Sequence, residues 1–366
     1  MAPLLDIRPR QQASGALSLG VSLAAVVLAL LLGAVLLALS GVSPLSAYRA
    51  MFTASLFGGP YALSDTTVKA TPLLLCGLGC AVAFRARLWN VGAEGQLLLG
   101  AWAATGVASF WLPAGLPRAL VLPLMAAAAM LAGGLWGALA GALRAYLNVN
   151  EIISTLMLVY VAQKLLNYFI FGAWSEAGFP LTPAFPPQAH LPRLADLAGR
   201  FPALAGLTAH LGIVVGVVLC LLLWLLLKRS VWGFELKLLG DSTPAARYVG
   251  LRPERQTLMT LLLSGALAGL AGMIEVAGVV HRLQDRFSPG YGFVAIAVAW
   301  LGRLDPWGVL LAALLFAALL VGAKEVQPSG IAMMLQGVIM LVVVACDVLL
   351  RYELRLRRRA RAGEEA

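Results

Sequence analysis

Apolar residues run through this chain in long blocks, not in the alternating or one-sided patterns of a water-soluble fold. A bilayer-spanning helix needs about 20 largely apolar residues. Runs 17–40, 91–111, 119–142, 206–227, 257–280, 306–323 and 330–350 are of that kind. Run 152–172 joins them, although Lys164 and Asn167 interrupt it. Stretches 70–84 and 288–302 are shorter. The pattern predicts eight crossings, or ten if both short stretches cross, with 288–302 open to re-entry instead. The first run is too long and too apolar for a cleaved signal and lacks a small-residue cleavage site, so a retained helix is expected. Thr71-Pro72, Ser288-Pro289 and Asp305-Pro306 each place a capping side chain before a proline, the signature of a helix start. The expected fold is all-α: a polytopic membrane bundle over 17–350 with tails at 1–16 and 351–366.

Composition agrees. Of the 366 residues, 61% are hydrophobic and 12% charged, against about 45–50% and about 25% in soluble domains. So little charge cannot clothe a soluble enzyme of this size. The net charge of +10 does not indicate nucleic-acid binding or disorder, because the apolar content is too high for either. Cys76, Cys80, Cys220 and Cys346 all lie in apolar runs without a Cys-x-x-Cys, and only three histidines exist. These cysteines read as small buried hydrophobes, and no metal site is expected.

Where the charges lie says more than how many there are. With ten crossings and the N-terminus inside, eighteen of the 27 basic residues fall on the inner side and eight on the outer, with Lys164 within a span. That asymmetry places both termini in the cytoplasm. Residues 173–205 then lie outside, with Pro180, Pro183, Pro186, Pro187, Pro192 and Pro202 around His190; they either connect two helices or cap the external mouth. Residues 228–256 lie inside, are basic, and read as a short helix with turns on either side.

Small residues four apart indicate how the helices pack. Gly133-xxx-Gly137-xxx-Gly141, Gly212-xxx-Gly216 and Gly265-xxx-Gly269 let backbones approach closely where lipid gives no hydrophobic drive. A weak internal symmetry is also visible. Segments 70–111 and 257–303 each read as a helix, a basic break, a glycine-rich turn and a second apolar helix, in inverted sense. Such repeats are a transporter habit, and chance likeness between Gly/Ala/Leu-rich segments is the competing explanation.

Polar groups inside a membrane are costly and point to function. The densest set is Asn90-Val91-Gly92-Ala93-Glu94-Gly95-Gln96. Asn90 reads as an N-cap, and Glu94 falls in the first turn, where the helix dipole favours an anion. Asn150 and Glu151 open another apolar run, with Ser154 on the same face as Glu151. Glu275 lies deep in run 257–280, with His281 and Asp285 beyond. Asn90, Glu94, Gln96, Asn150, Glu151, Ser154 and Glu275 are therefore the candidate substrate-path residues. Gly290–Ala295 matches a loose dinucleotide pattern but has no βαβ context. No Gly-Lys dipeptide exists, so there is no Walker A loop, and no His-Glu-x-x-His occurs. No catalytic residues and no cofactor are expected.

Four segments together carry a family resemblance. Asn90–Ala101 (NVGAEGQLLLGA) resembles the N-x-G-x-E-G-Q segment of ABC-importer permeases in the ribose and branched-chain-amino-acid permease superfamily. Asn150–Leu158 (NEIISTLML), Leu239–Leu251 (LGDSTPAARYVGL) and Gly290–Val309 (GYGFVAIAVAWLGRLDPWGV) are similar to further segments of that family in the same order. The likeness covers roughly 45–350. Within the superfamily it is nearest to nucleoside or simple-sugar permeases that work with a basic-membrane-lipoprotein type binding protein. One position departs: such proteins often have Leu-Asn-Tyr where Leu158-Val159-Tyr160 stands here.

The resemblance implies a permease subunit of a bacterial ABC importer in the inner membrane. It would pass a nucleoside-like or simple-sugar substrate between itself and a second, homologous permease. An ATPase subunit and an extracytoplasmic lipoprotein binding protein complete the expected assembly, with membrane lipid around it and no nucleic acid. It also implies that a helix in 237–250 docks on the ATPase, with Lys237, Gly240, Asp241, Ala245, Ala246, Arg247 and Gly250 in that segment. Ser242 and Pro244 would start the helix and Gly250 end it. The competing expectation is an ion-coupled secondary transporter using an intramembrane carboxylate.

Overall fold

The computed structural model describes residues 5–9, 15–113, 115–325, 334, 337–338, 341–342, 345–346 and 352–356. The chain forms two compact units, one of residues 1–47 with 328–366 and one of residues 48–327. In the first unit, α1 (Gly15–Leu39) is aliphatic along its length. Strand β1 (Leu5–Pro9) pairs antiparallel with β2 (Tyr352–Leu356), Leu5 opposite Leu356 and Pro9 opposite Tyr352. Part of the expected run 330–350 lies outside the described residues. Helix α2 (Pro44–Phe52) straddles the two units and passes into a π-helical turn at Thr53–Phe57.

The second unit is built around two central helices, α3 (Pro60–Arg85) and α10 (Pro253–Glu275), the latter continued by a π-helical turn at Val276–Val280. Both are buried nearly all round, as an apolar helix without a polar face should be. Helix α4 (Ala93–Gly106), continued by a π-helical turn at Val107–Trp111, is the third buried element. Around these stand α5 (Arg118–Leu147), α6 (Glu151–Ile170), α7 (Gly212–Arg229), α11 (Tyr291–Leu301) and α12 (Pro306–Gly322). Among the described residues, six helices are long and apolar enough to cross a membrane: α3, α5, α6, α7, α10 and α12. The fold is an all-α membrane bundle.

Glycines set the spacing at the centre. A Cβ on Gly133 of α5 would run into the Gly265 carbonyl of α10, and one on Gly265 into the Gly133 carbonyl. Gly269 likewise meets the Ala129 carbonyl, and Gly100 of α4 meets Gly269. The expected small-residue packing is thus a three-helix contact of α4, α5 and α10.

One sequence expectation is corrected, and one choice left open is narrowed. Helix α3 does not start at Thr71-Pro72 but at Pro60, after Gly59 at φ +89°. Pro72 is inside the helix, and the Thr71 hydroxyl donates to the Thr67 carbonyl (2.9 Å) instead of capping. Stretch 70–84 is therefore the inner part of a 26-residue helix, whose first turns carry Ser64, Asp65, Thr66, Thr67 and Lys69. The other short stretch yields α11, whose 11 residues rise only about 16 Å. That is half of what a bilayer needs.

Residues 173–211 form an ordered strap, not a slack connector. Thr182 N–H donates to the Leu283 carbonyl, Phe185 N–H to His281 and Leu191 N–H to Ala277. The Arg193 guanidinium donates to the Gly278 and Val279 carbonyls (2.7 and 3.1 Å). The strap thereby satisfies carbonyls at the C-terminal end of α10, which would otherwise lack partners.

Candidate functional site

The first turns of α4 and α11 meet inside the bundle. Gly292 N–H of α11 donates to Glu94 Oε2 of α4 at 2.7 Å. A carboxylate at a helix N-terminus is favoured by the dipole and by the unpaired amides there. Gly292 is required at that contact, because a Cβ would strike the Glu94 backbone. The preceding residue, Tyr291, is fully buried. Its hydroxyl accepts from Lys69 Nζ of α3 (2.7 Å) and donates to Glu275 Oε1 of α10 (3.3 Å). Lys69 Nζ also pairs directly with Glu275 Oε1 at 3.0 Å.

Four helices thus converge on two carboxylates, one ammonium group and one phenol. Charges this deep persist only when paired. One atom breaks the accounting: Glu275 Oε2 is buried and has no hydrogen-bond partner. The Glu275 side chain is 2% exposed, whereas that of Lys69 is 24% exposed. The cluster therefore opens on the lysine side, and it holds an unused acceptor.

A second network lies beside the first. Asn90 Nδ2 donates to Gln96 Oε1 (2.9 Å) and Ser264 Oγ (2.8 Å), while Gln96 Nε2 donates back to Asn90 Oδ1 (3.1 Å). Ser264 Oγ donates to the Gly79 carbonyl at 2.7 Å. All three side chains are buried. This fully paired set ties the turn before α4 to α3 and α10. The N-cap of α4 is Gly92, not Asn90, whose Oδ1 accepts from Gly92 N–H (3.1 Å) and shapes the turn.

The remaining expected path residues form a separate group at the start of α6. Asn150 is the N-cap, accepting from Ile152 N–H at 2.9 Å. Glu151 pairs with Arg144 of α5 at 3.3 Å. Ser154 Oγ donates to the Glu151 carbonyl (3.3 Å). Val159 is buried, and a Cβ on Gly95 would contact its backbone, so that position faces α4.

At the bundle end where α3 and α5 terminate stand α8 (Val231–Asp241) and α9 (Thr243–Tyr248). Ser242 caps α9 by accepting from Ala245 N–H (3.3 Å), and Gly250 follows at φ +85°. The start and stop expected from sequence are both present. Lys237, Asp241, Ala245 and Arg247 are exposed, while Gly240 and Ala246 are buried. Gly240 abuts the Arg85 carbonyl. Arg247 pairs with Glu254 at 2.9 Å. Tyr248 is 92% exposed and its neighbour Val249 60%. A cleft of about 520 Å³ beside α9 is lined by Arg87, Arg144, Asp241, Arg247 and Glu254, among others.

The structure therefore joins Glu94 and Glu275 through Tyr291 and Gly292, joins Asn90 to Gln96, and keeps Asn150, Glu151 and Ser154 apart. Sequence reasoning missed Lys69, Tyr291 and Ser264. The apolar run begins at residue 70, which leaves Lys69 outside it; Pro60, with no breaker between it and Lys69, is the available signal. Tyr291 stood inside the pattern set aside as a false dinucleotide turn. Among the described residues, no group of three or more His, Cys, Asp or Glu side chains could hold a metal ion.

Known proteins add the family context. A family model described as "Branched-chain amino acid transport system / permease component" matches residues 62–344. The chain is similar to the glucose ABC transporter permease protein TsgB13 of Haloferax volcanii, at 37% identity over 95% of this chain and 93% of that one. It is also similar to the guanosine ABC transporter permease protein NupP of Bacillus subtilis (35%, covering 88% and 91%). The nucleoside ABC transporter permease protein NupB of Lactococcus lactis follows (31%, covering 85% of each). Each of these organisms has a second, more distant relative of this chain named for the same cargo, at 24–29% identity.

Proposed function

The chain belongs to the branched-chain amino acid transport permease family, and on that premise we propose that its cargo is a nucleoside or a simple sugar. It is a multi-pass permease subunit of an ABC importer, and such a subunit works with an ATPase and a substrate-binding protein. The observation that carries the cargo reading is the junction of Lys69, Glu94, Glu275 and Tyr291. Its free Glu275 oxygen accepts hydrogen bonds, and the third N–H of Lys69, beyond those given to Glu275 and Tyr291, donates one. A neutral polyhydroxyl solute offers matching donors and acceptors. Glu94, Glu275 and their partners form the inner part of the path, with Asn150, Glu151 and Ser154 at its other end. Asn90 and Gln96 hold the turn that aims Glu94.

The binding protein is of the lipoprotein type, the membrane is the bacterial inner membrane, and both termini are cytoplasmic, as the basic-residue asymmetry supports. Helix α9 then faces the cytoplasm and docks on the ATPase through Ala245, Arg247 and Tyr248, flanked by Lys237, Asp241 and Gly250. The second permease is a different, homologous chain. The paired relatives in three organisms support that arrangement.

The test is uptake of labelled guanosine and glucose by cells carrying the complete transporter. ATP-dependent uptake that Glu275→Gln reduces at least tenfold, with the complex still assembled, is the expected result. Uptake driven by a proton or sodium gradient without the ATPase would replace this reading with an ion-coupled carrier. For the docking helix, Tyr248→Asp is expected to abolish co-purification of the ATPase while membrane insertion stays normal. Ala246, being buried, is unsuited to that test, since a charge there would disturb the fold itself.

A further inference from the structure

One cleft of the bundle carries positive charge that the chain itself does not use. It measures about 340 Å³ and lies between α8 and the first turn of α10, lined by Trp232, Glu235, Arg252, Arg255, Gln256 and Met259, among others. Arg252 and Arg255 are exposed, and no hydrogen bond or ion pair engages either guanidinium among the described residues. Glu235, the carboxylate in the lining, already accepts from Gln256 Nε2. That bond fixes the amide's orientation and leaves Gln256 Oε1 buried without a partner. In the larger cleft beside α9, Arg144 and Arg247 are instead paired with Glu151 and Glu254. Arg252 is also the N-cap of α10 and makes no side-chain cap, so the positive end of that helix adds to the field.

The cleft grades from charged to apolar. Met259 stands one turn after Arg255 on the same side of α10, about 6 Å further into the span, and it is 44% exposed. The neighbouring helix sits at the edge of the apolar layer. Helix α7 shows an aliphatic face, Val214, Val218, Leu221 and Leu225, and ends on Lys228 and Arg229. Helix α8 follows after Ser230 alone, which caps it by accepting from Gly233 N–H (3.2 Å). Val231 and Phe234, one turn apart beside Trp232, are 74% and 66% exposed, while Leu236 and Leu239 are buried. Large apolar side chains turned outward just past a basic helix end are the pattern of a helix lying in the membrane interface.

We propose that this cleft holds an anionic phospholipid with a glycerol headgroup. Its phosphate takes the guanidinium N–H groups of Arg252 and Arg255, a headgroup hydroxyl donates to Gln256 Oε1, and its acyl chains leave over Met259 and Trp232. Arginine forks match phosphate oxygens, and basic pockets at the ends of membrane helices take lipid headgroups. A free phosphate answers the arginines but neither the orphaned acceptor nor the exposed Met259. A zwitterionic headgroup brings an ammonium group that the two arginines repel. A carboxylate from a partner protein pairs with the arginines and leaves the apolar side of the cleft uncovered. The inference needs only the membrane bundle; neither the cargo reading nor the ATPase-docking reading carries it.

The experiment is native mass spectrometry of the complete transporter in detergent, supplied with phosphatidylglycerol, phosphatidylethanolamine or soluble glycerol 3-phosphate. The expected result is phosphatidylglycerol retained at collision energies that strip phosphatidylethanolamine. Arg252→Ala with Arg255→Ala should weaken that retention roughly tenfold or more, with the ATPase still bound. Arg87→Ala, which removes an exposed arginine from the other cleft, should leave it unchanged. Equal retention of the two lipids, or full retention by the double variant, overturns the proposal. An equal loss in Arg87→Ala overturns it too, since a diffuse basic surface would then explain the binding. Glycerol 3-phosphate bound as tightly as the lipid would make this a site for a free anion. Loss of the ATPase from the double variant with lipid retention unchanged would assign the arginines to subunit docking, and either outcome ends the lipid assignment.

Discussion

Lys69 and Glu275 show how differently two members of one ion pair can be legible. Glu275 stands alone in an apolar run, and a membrane carboxylate announces itself. Its partner lies 206 positions away in a segment whose polar residues disguise it as a loop. Sequence reasoning could find the costly residue but not the one that makes it tolerable, because pairing is a property of the packed bundle. The pair gives a prediction at this scale. Removing one partner of a buried pair leaves an uncompensated charge, at about 3–5 kcal/mol, whereas replacing both with apolar groups costs far less. Lys69→Met is therefore expected to lower the melting temperature of the purified protein sharply, and Lys69→Met with Glu275→Leu to recover most of it. Additive losses in the double variant would show that the two side chains do not stabilise each other.

At the scale of elements, hydropathy located the long helices and missed what lies between them. Runs 119–142, 152–172 and 306–323 reappear as α5, α6 and α12 with ends moved by a few residues. The start of α3 was missed by ten residues because Thr71-Pro72 imitates a helix start while the Thr71 hydroxyl bonds inside the helix. The glycine spacings were legible as packing signals, but not which helices they join. That the partners are α4, α5 and α10 emerges only where carbonyls face glycine Cα atoms. Gly265→Leu should therefore prevent recovery of folded protein, since its Cβ alone meets the Gly133 backbone. Gly20→Leu, at an exposed position of α1 with nothing within 4 Å, should leave expression and melting unchanged. Equal behaviour of the two variants would refute the close-packed three-helix contact.

At the scale of the whole 48–327 unit, all three histidines gather where the strap crosses the end of α10. His190 and His281 stack at 3.9 Å, Arg193 Nη2 donates to His281 Nε2 (2.6 Å), and His210 Nδ1 accepts from Gly212 N–H (3.1 Å). Both ring contacts need an unprotonated nitrogen. Burial pushes His210 down to about 4, helped by the positive charges of Arg193 and Lys69 and by His281. Burial also pushes His281 down to about 4, with His190 and Arg193 acting in the same direction and the Ala277 carbonyl and Asp196 opposing. The unfolded chain takes up these protons from about pH 6.5 downward, the folded chain only near pH 4. The unfolded state thus binds more protons throughout that window, so stability is complete above it and falls as the pH drops through it. The melting temperature of the purified protein should decline from about pH 6.5 toward pH 4. His210→Asn, which keeps an acceptor for Gly212 N–H, together with His281→Gln should flatten that decline. An unchanged slope in the double variant would mean that other groups set the acid limit. The strap is then a clamp that holds at neutral pH by keeping its imidazoles uncharged. Any motion that separates it from α10 must give up the Arg193 contacts and the ring stack together, so opening at this end is expected to be all-or-none, not gradual.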